Sequence, residues 1–178
     1  LEELYYGLSM QLAVYMTAVL REREEKNPIP AAMFYYHVDD PIVNKSEHIE
    51  QDVLKALRVK GLVNKNPEVI KSLDKEFYSP AGGLAASIKS LKIPVETDKE
   101  GGLKKSSKVA DSQMFSALSD YVYQKLKQES EEILSGAVQI APYKCGKKTG
   151  CDYCRFQEIC GSKAGQYRDL QPKSDEEI

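Results

Sequence analysis

The stretch Cys145-Gly146-Lys147-Lys148-Thr149-Gly150-Cys151-Asp152-Tyr153-Cys154-Arg155-Phe156-Gln157-Glu158-Ile159-Cys160 holds all four cysteines of the chain within sixteen residues. Clustering this tight asks for a cause. A thiolate is a soft ligand, and soft ligands select zinc, copper(I) or iron–sulfur clusters. Cys151 and Cys154 form a C-x-x-C pair, a spacing that lets two sulfurs of one tight turn reach a single centre. Arg155 to Ile159 have the length of a short helical turn that carries the Cys160 sulfur back. Cys145 stands before this group, across a basic loop with Gly146 and Gly150. A metal or cluster site, a pair of disulfides and unliganded thiols compete for the pattern. Nothing in the sequence looks secretory, which weighs against disulfides. Spacing leaves iron–sulfur and zinc both open. Three close cysteines suffice for a cluster that takes a fourth ligand from afar, and four local ones close a structural zinc site.

Outward from this stretch the chain is ordinary in its totals. It has 178 residues, 42% hydrophobic and 29% charged, and a formal net charge of -2. That is enough for one domain with a core, and it gives no whole-chain attraction to nucleic acid. The local balance differs. From Lys144 to Arg168 the basic residues Lys144, Lys147, Lys148, Arg155, Lys163 and Arg168 stand against Asp152 and Glu158. Such a patch meets a phosphate backbone, or simply offsets the charge of a thiolate cluster. No apolar run approaches a membrane span, and a cytoplasmic protein is expected. The opening Leu1-Glu2-Glu3-Leu4 is already inside a helical pattern without an initiator Met, so a piece of a longer chain is expected.

Upstream, hydrophobic periodicity predicts elements. Leu1, Leu4, Leu8, Leu12, Tyr15 and Val19 recur at helical spacing and predict one amphipathic helix over residues 1 to about 25, with Tyr15 in the core and Gln11, one turn away, at its rim. Ala31 to Val38, between Pro30 and Pro41, reads as a strand buried on both faces, with His37 as a core histidine and Asp39-Asp40 starting the turn. Ser46 caps a helix to about Val59, with Gly61 past its end. Asn66-Pro67-Glu68 opens a third helix. Residues 78 to 110 are the least regular part, and the basic run Lys104, Lys105, Ser106, Ser107, Lys108 reads as a solvated hairpin tip. Asp111 or Ser112 caps the longest helix, whose buried side is traced by Phe115, Leu118, Val122, Leu126 and Ile133 and which Gly136 ends. Ala137 to Ala141 is read as a short extended piece. Ser174 to Ile178 reads as an acidic tail.

Four of these stretches together resemble the nuclease region of the AddB/RexB family, the B subunits of bacterial helicase–nucleases. Leu4 to Tyr15 is similar to the Gln-x3-Tyr helix of RecB-type nucleases through Gln11 and Tyr15. Ala31 to Val38 is similar to the strand that follows it. Lys60-Gly61-Leu62-Val63 and the helix after it match the next segment. Ala141-Pro142-Tyr143-Lys144, then Cys151, Cys154 and Cys160, then Ser174-Asp175-Glu176-Glu177-Ile178, resemble the family's iron–sulfur segment and tail. The resemblance covers essentially the whole chain. It implies an α/β fold: a partial restriction-endonuclease-like core over residues 1–140, and a cysteine-rich iron–sulfur loop and tail over 141–178. It implies a 5'→3' exonuclease acting on DNA single strands in double-strand-break repair and recombination, in a heterodimer with the A subunit of the helicase–nuclease.

The same resemblance implies site residues. Gln11 and Tyr15 would position DNA and the attacking water. Cys151, Cys154 and Cys160 would hold a 4Fe–4S cluster, and Lys147 and Lys148 would face DNA. The family's fourth cluster ligand lies far upstream, and the position of Cys145 is usually not cysteine, so Cys145 is a bystander or a local substitute. The Mg²⁺ ion belongs to an Asp…Asp/Glu-x-Lys set that the family carries on strands before the Gln-x3-Tyr helix. Within this chain the one such spacing is Glu24-Glu25-Lys26, on a charged helix end. The fragment is therefore expected to be catalytically silent, although the intact protein is an enzyme. The competing reading is a non-enzymatic module in which all four cysteines bind one zinc ion and present the basic loop to nucleic acid or a partner. A homodimer through an exposed sheet edge is a further expectation.

Overall fold

Gly61 decides how the central sheet is built. It lies in β2 (Lys60–Asn64), opposite Phe34 of β1 (Ala32–Tyr35) in an antiparallel register that runs from Ala32 against Val63 to Tyr35 against Lys60. Its φ is +151°, and a Cβ there would fall 1.9 Å from the Met33 carbonyl oxygen. Only glycine lets the two backbones close to this distance. β2 is the middle strand, and it also pairs in parallel with β3 (Val109–Ala110). This is a computed structural model, and it describes residues 2–23, 27–38, 40–44, 47–160 and 167–171. The chain divides into two compact units, a core unit of Leu12–Val122 and a terminal unit of Leu1–Gln11 with Tyr123–Ile178.

In the core unit, Val63, Ile70, Phe77, Ile93 and Val95 form the buried cluster, with Phe34, Val59, Leu73, Ile88 and Val109 packed around it. α3 (Ile49–Ala56) stops before Val59, because Val59 N–H turns to the Lys92 carbonyl at 3.1 Å and Arg58 Nε–H to the Ile93 carbonyl at 2.9 Å. Gly61 therefore sits within a strand rather than at a helix end. α4 (Pro67–Leu73) starts as expected, with the Asn66 side chain accepting from Glu68 N–H at 2.9 Å. Asn64 is buried and fully used: its amide donates to the Pro30 carbonyl and the Ser112 hydroxyl, and its carbonyl accepts from Asn66 N–H.

Several expectations are corrected. β1 is an edge strand with Met33 buried and Tyr35 exposed, not a strand buried on both faces, and His37 is exposed. Residues 78–110 carry little regular structure, yet they supply Ile93 and Val95 to the core. The run from Lys104 to Lys108 is no free hairpin tip: Ser107 is buried, its hydroxyl accepts from Glu96 N–H and donates to the Glu96 carbonyl, both at 2.9 Å. Helix α2 (Gln11–Glu22) buries Ala13 and Thr17, and leaves Tyr15 and Val19 exposed. Glu24 to Lys26, Asp39, Ser46, Lys163 and the tail from Ser174 lie outside the described residues.

Asp74 holds the irregular segment. Its side chain is fully buried at the end of α4, where it caps a 3-10 turn (Lys75–Phe77). It accepts from Ser90 Oγ at 2.7 Å, Lys92 Nζ at 2.9 Å and Glu76 N–H at 3.3 Å. Burial pushes the Asp74 carboxyl up, but the hydrogen bonds and charge of Lys92, with Ser90 and the Glu76 amide, bring it below its ordinary value of 3.8.

In the terminal unit, α1 (Glu2–Tyr5) is a separate helix. Gly7, at φ +76°, closes it with bonds from Gly7 N–H to the Leu4 carbonyl and from Leu8 N–H to the Glu3 carbonyl. That pattern is a Schellman stop, which breaks the single helix expected over residues 1 to 25. The same device at Gly136 ends α5 (Ser112–Leu134), as expected; the residues of α5 up to Val122 belong to the core unit. α5 is capped by Asp111, which accepts from Met114 N–H. It is buried at Phe115 and Val122, while Leu126 and Ile133 are exposed, against expectation. Residues 137–141 form no strand. β4 (Tyr143–Cys145) pairs antiparallel with β5 (Lys148–Thr149) and in parallel with β6 (Arg168–Leu170).

Two substitutions test this account. Asp74→Ala strips the acceptor from three donors and is expected to lower unfolding free energy by about 2 to 3 kcal/mol in urea titrations. A carboxyl whose folded pKa lies below its unfolded value contributes stability above the unfolded value and loses it as pH falls through the folded one. The gap between wild type and Asp74→Ala should therefore be full above pH 3.8 and close below it. Gly61→Ala, which drives a Cβ into the Met33 carbonyl, should cost about 3 kcal/mol or more, or prevent folding.

Candidate functional site

The cysteine loop follows from the β4–β5 turn. Gly146 takes φ +58° between the two strands, and Gly150 lies where a Cβ would meet the Tyr143 ring at 3.3 Å. Thr149 and Asp152 then fix the start of the C-x-x-C pair. Thr149 N–H and Thr149 Oγ1 donate to the two oxygens of Asp152 at 2.9 and 2.6 Å, and Cys151 N–H donates to Thr149 Oγ1 at 3.2 Å. Those hydrogen bonds from Thr149 hold the Asp152 carboxyl below its ordinary range.

From there the chain makes consecutive tight turns. Cys154 N–H donates to the Cys151 carbonyl at 3.1 Å, and Cys160 N–H donates to the Phe156 carbonyl at 2.8 Å. The second bond is the helical turn expected between Cys154 and Cys160. None of the four cysteines is in a disulfide; Cys154 is exposed and Cys145, Cys151 and Cys160 are partly so. The donor chemistry suits a soft metal or a cluster. Among the described residues no three His, Cys, Asp or Glu side chains converge on a point that would hold an ion, so ligation would have to draw the sulfurs together. Cys145 belongs to β4, opposite Lys148 and Leu170, rather than to the turns that carry the other three.

Two partners of this loop were not visible in the spacing. The Tyr167 phenol hydrogen-bonds the Cys151 sulfur, and this raises its pKa above the usual tyrosine value. Lys148 Nζ is held by Glu3 Oε1 at 2.9 Å, and this carboxylate raises the lysine pKa. Lys147 is exposed and has no ion-pair partner among the described residues. The two lysines expected to face DNA thus differ: Lys147 presents its charge to solvent, whereas Lys148 shares its charge with Glu3.

Helix α2 carries Gln11 as its first residue and Tyr15 one turn on, both exposed, Tyr15 at 58%. The side chains of Ala13 and Thr17 do the packing, with Thr17 Oγ1 donating back to the Ala13 carbonyl at 2.7 Å. Tyr15 thus lies on the exposed side of a helix that buries small residues. No described helix is long and apolar enough to cross a membrane.

Comparison with known proteins gives the family. The model of the PD-(D/E)XK nuclease superfamily matches residues 1–161. Proteins named as the B subunit of an ATP-dependent helicase/deoxyribonuclease match the whole chain: one from Lachnoclostridium phytofermentans at 41% identity, one from Clostridioides difficile at 38% and one from Thermoanaerobacter sp. at 33%. The chain spans 16% of the length of each. With helices and small mixed sheets, and a family match that covers all but its last residues, this α/β chain belongs to the PD-(D/E)XK nuclease superfamily and has its nuclease fold.

Proposed function

We propose that the chain is part of the nuclease module of a helicase–nuclease B subunit, that it works on DNA single strands with 5'→3' polarity during double-strand-break repair and recombination in the cytoplasm, and that the whole protein pairs with the corresponding A subunit. The observation that carries this reading is the match from end to end with relatives named as B subunits. The exposure of Gln11 and Tyr15 supports it, since groups that position a strand and a water molecule must reach solvent. Lys147 adds a charge for the phosphate backbone, and Lys148 adds one when DNA displaces Glu3.

The residues described here do not fit a magnesium centre. Asp169 is the one carboxylate carried by any of the described strands, and the one Asp/Glu-x-Lys of the sequence, Glu24-Glu25-Lys26, falls outside the described residues. No step of cleavage is derived from them. In this proposal the chain by itself does not cut DNA, and Gln11 and Tyr15 serve catalysis only beside carboxylates that it does not provide.

The proposal gives Cys151, Cys154 and Cys160 to a 4Fe–4S cluster, with Cys145 outside the ligand set. A bound cluster contributes thiolate ligation energy, which becomes folding energy for the loop. Support comes from the turns at Cys151–Cys154 and Phe156–Cys160, which already place the three cysteines on neighbouring bends. The zinc module remains the outcome to be tested against it.

Two experiments follow. Incubation of the purified chain with Mg²⁺ and labelled single-stranded DNA should give no cleavage. Cleavage that co-elutes with the chain and is abolished in Tyr15→Ala would overturn its catalytic silence. After purification without oxygen, elemental analysis and a visible spectrum should show iron with matching sulfide. Cys151→Ser, Cys154→Ser and Cys160→Ser should each lose it, while Cys145→Ser keeps most of it. One zinc per chain, equally lost in all four variants, would replace the cluster with the zinc module.

A further inference from the structure

Glu96 gathers three cations from three separate parts of the core unit. Lys89 is its antiparallel bridge partner, with Nζ 3.3 Å from Glu96 Oε1. Arg58 Nη1 stands 4.0 Å from the same oxygen, and Lys104 Nζ stands 4.0 Å from Oε2. Backbone and hydroxyl bonds fix this grouping. Arg58 Nε–H is tied to the Ile93 carbonyl, Lys104 N–H donates to the Glu96 carbonyl at 3.0 Å, and the Ser107 hydroxyl bridges Glu96 N–H and its carbonyl.

The charges do not cancel. Among the described residues Glu96 is the one carboxylate paired with any of the three cations, so three positive groups face a single negative one. Two of the pairs are too long for a direct hydrogen bond. The carboxylate lies beneath, its side chain 14% exposed, while the Lys89 and Lys104 side chains reach solvent at 70% and 49%. Lys89 and Lys104 hold their ammonium groups in solvent, where screening limits what each pair adds to stability. A half-buried carboxylate that holds cations at fixed spacing gives instead a pre-organised surface for a ligand with repeated negative charge.

We propose that Arg58, Lys89 and Lys104, gathered on Glu96, form a binding surface for the phosphate backbone of a DNA single strand. The choice of ligand rests on the nuclease reading above. Neighbouring Lys105 is also exposed and extends the positive surface along the chain.

The test is fluorescence anisotropy of a labelled oligothymidylate with the whole 178-residue chain over a range of NaCl concentrations. Each single-strand phosphate neutralised contributes roughly 0.7 to the salt slope. Lys89→Ala/Lys104→Ala should therefore flatten the slope by roughly 1.4 and weaken binding about tenfold at low salt. Lys65→Ala/Lys71→Ala removes two lysines that are each held by a carboxylate, at 3.0 and 2.8 Å, and should leave both quantities unchanged. Thermal melts check that the variants fold, and Lys89→Gln/Lys104→Gln serves if the alanine pair does not. Wild-type affinity and slope in the Lys89/Lys104 variant, or an equal loss in the Lys65/Lys71 control, would overturn this surface alone. No binding by the folded, unsubstituted chain at low salt would overturn the nuclease reading, and this surface with it.

Discussion

The core unit depends on one buried carboxylate. Residues 78–110 cross the sheet region with few ladder bonds of their own, yet Ile93 and Val95 must arrive in the core beside Val63 and Phe77. Asp74 makes this possible by presenting a negative charge inside the fold, where a lone charge would cost several kcal/mol. Ser90 and Lys92 satisfy it, and both belong to the segment that has to be held. The same economy repeats at other buried hydroxyls. Ser90 Oγ accepts from the amides of Lys92 and Ile93 at 3.0 Å, and Thr97 Oγ1 accepts from Ile88 N–H while donating to the Ala85 carbonyl. Side chains here do what a strand ladder does elsewhere, and every buried polar side-chain atom described finds a partner.

This explains which parts of the fold were legible in the sequence. Signals that act within one turn of the chain are legible. Asn66 before Pro67 caps α4, Asp111 caps α5 and Gly136 ends it, because each effect is carried by bonds over three to five residues. Signals that depend on a distant backbone are not legible. Gly61 looks like a helix stop from its neighbours, but its cause is the Met33 carbonyl across the sheet. Ser107 looks like part of a solvated tip, but Glu96 buries it. On α2, periodicity favoured the large side chains Tyr15 and Val19, whereas the packed face uses Ala13 and Thr17. A hydrophobicity pattern gives small residues such as Ala13 and Thr17 little weight.

The candidate site divides in the same way. The turn before Cys160 is legible, since it is a local pattern, whereas the exposure of Tyr15 is not. Nor are the partners of the cysteine loop. Glu3 reaches Lys148 from 145 positions away, and Tyr167 reaches Cys151 only because β6 lies beside β4. No motif at either position announces this. The consequence is electrostatic: of two adjacent lysines, one keeps its charge for an outside anion and the other meets a carboxylate of the same unit. Basic residues counted along a sequence therefore overstate what a loop offers to phosphate.

The loop itself raises a physical question that its composition answers. Tyr153, Phe156 and Ile159 are all largely exposed, so burial of apolar surface holds little of residues 150–160 in place. What remains is hydrogen bonds: those of Thr149 with Asp152 and the Cys151 amide, that of Gly150 N–H to the Tyr143 carbonyl, that of Tyr167 with Cys151, and the short-range backbone bonds of the turns from Asp152 to Cys160. Net contributions of about 1 kcal/mol each are small beside the roughly 1 to 2 kcal/mol per residue that ordering a backbone costs. A segment in that position gains most from a strong ligand that only the folded chain can gather. Three thiols on neighbouring bends supply such ligands without needing a core. The same bends leave Tyr153, Phe156 and Ile159 exposed, so on the proposed cluster reading it is thiolate ligation, rather than apolar burial, that would set the conformation of this loop.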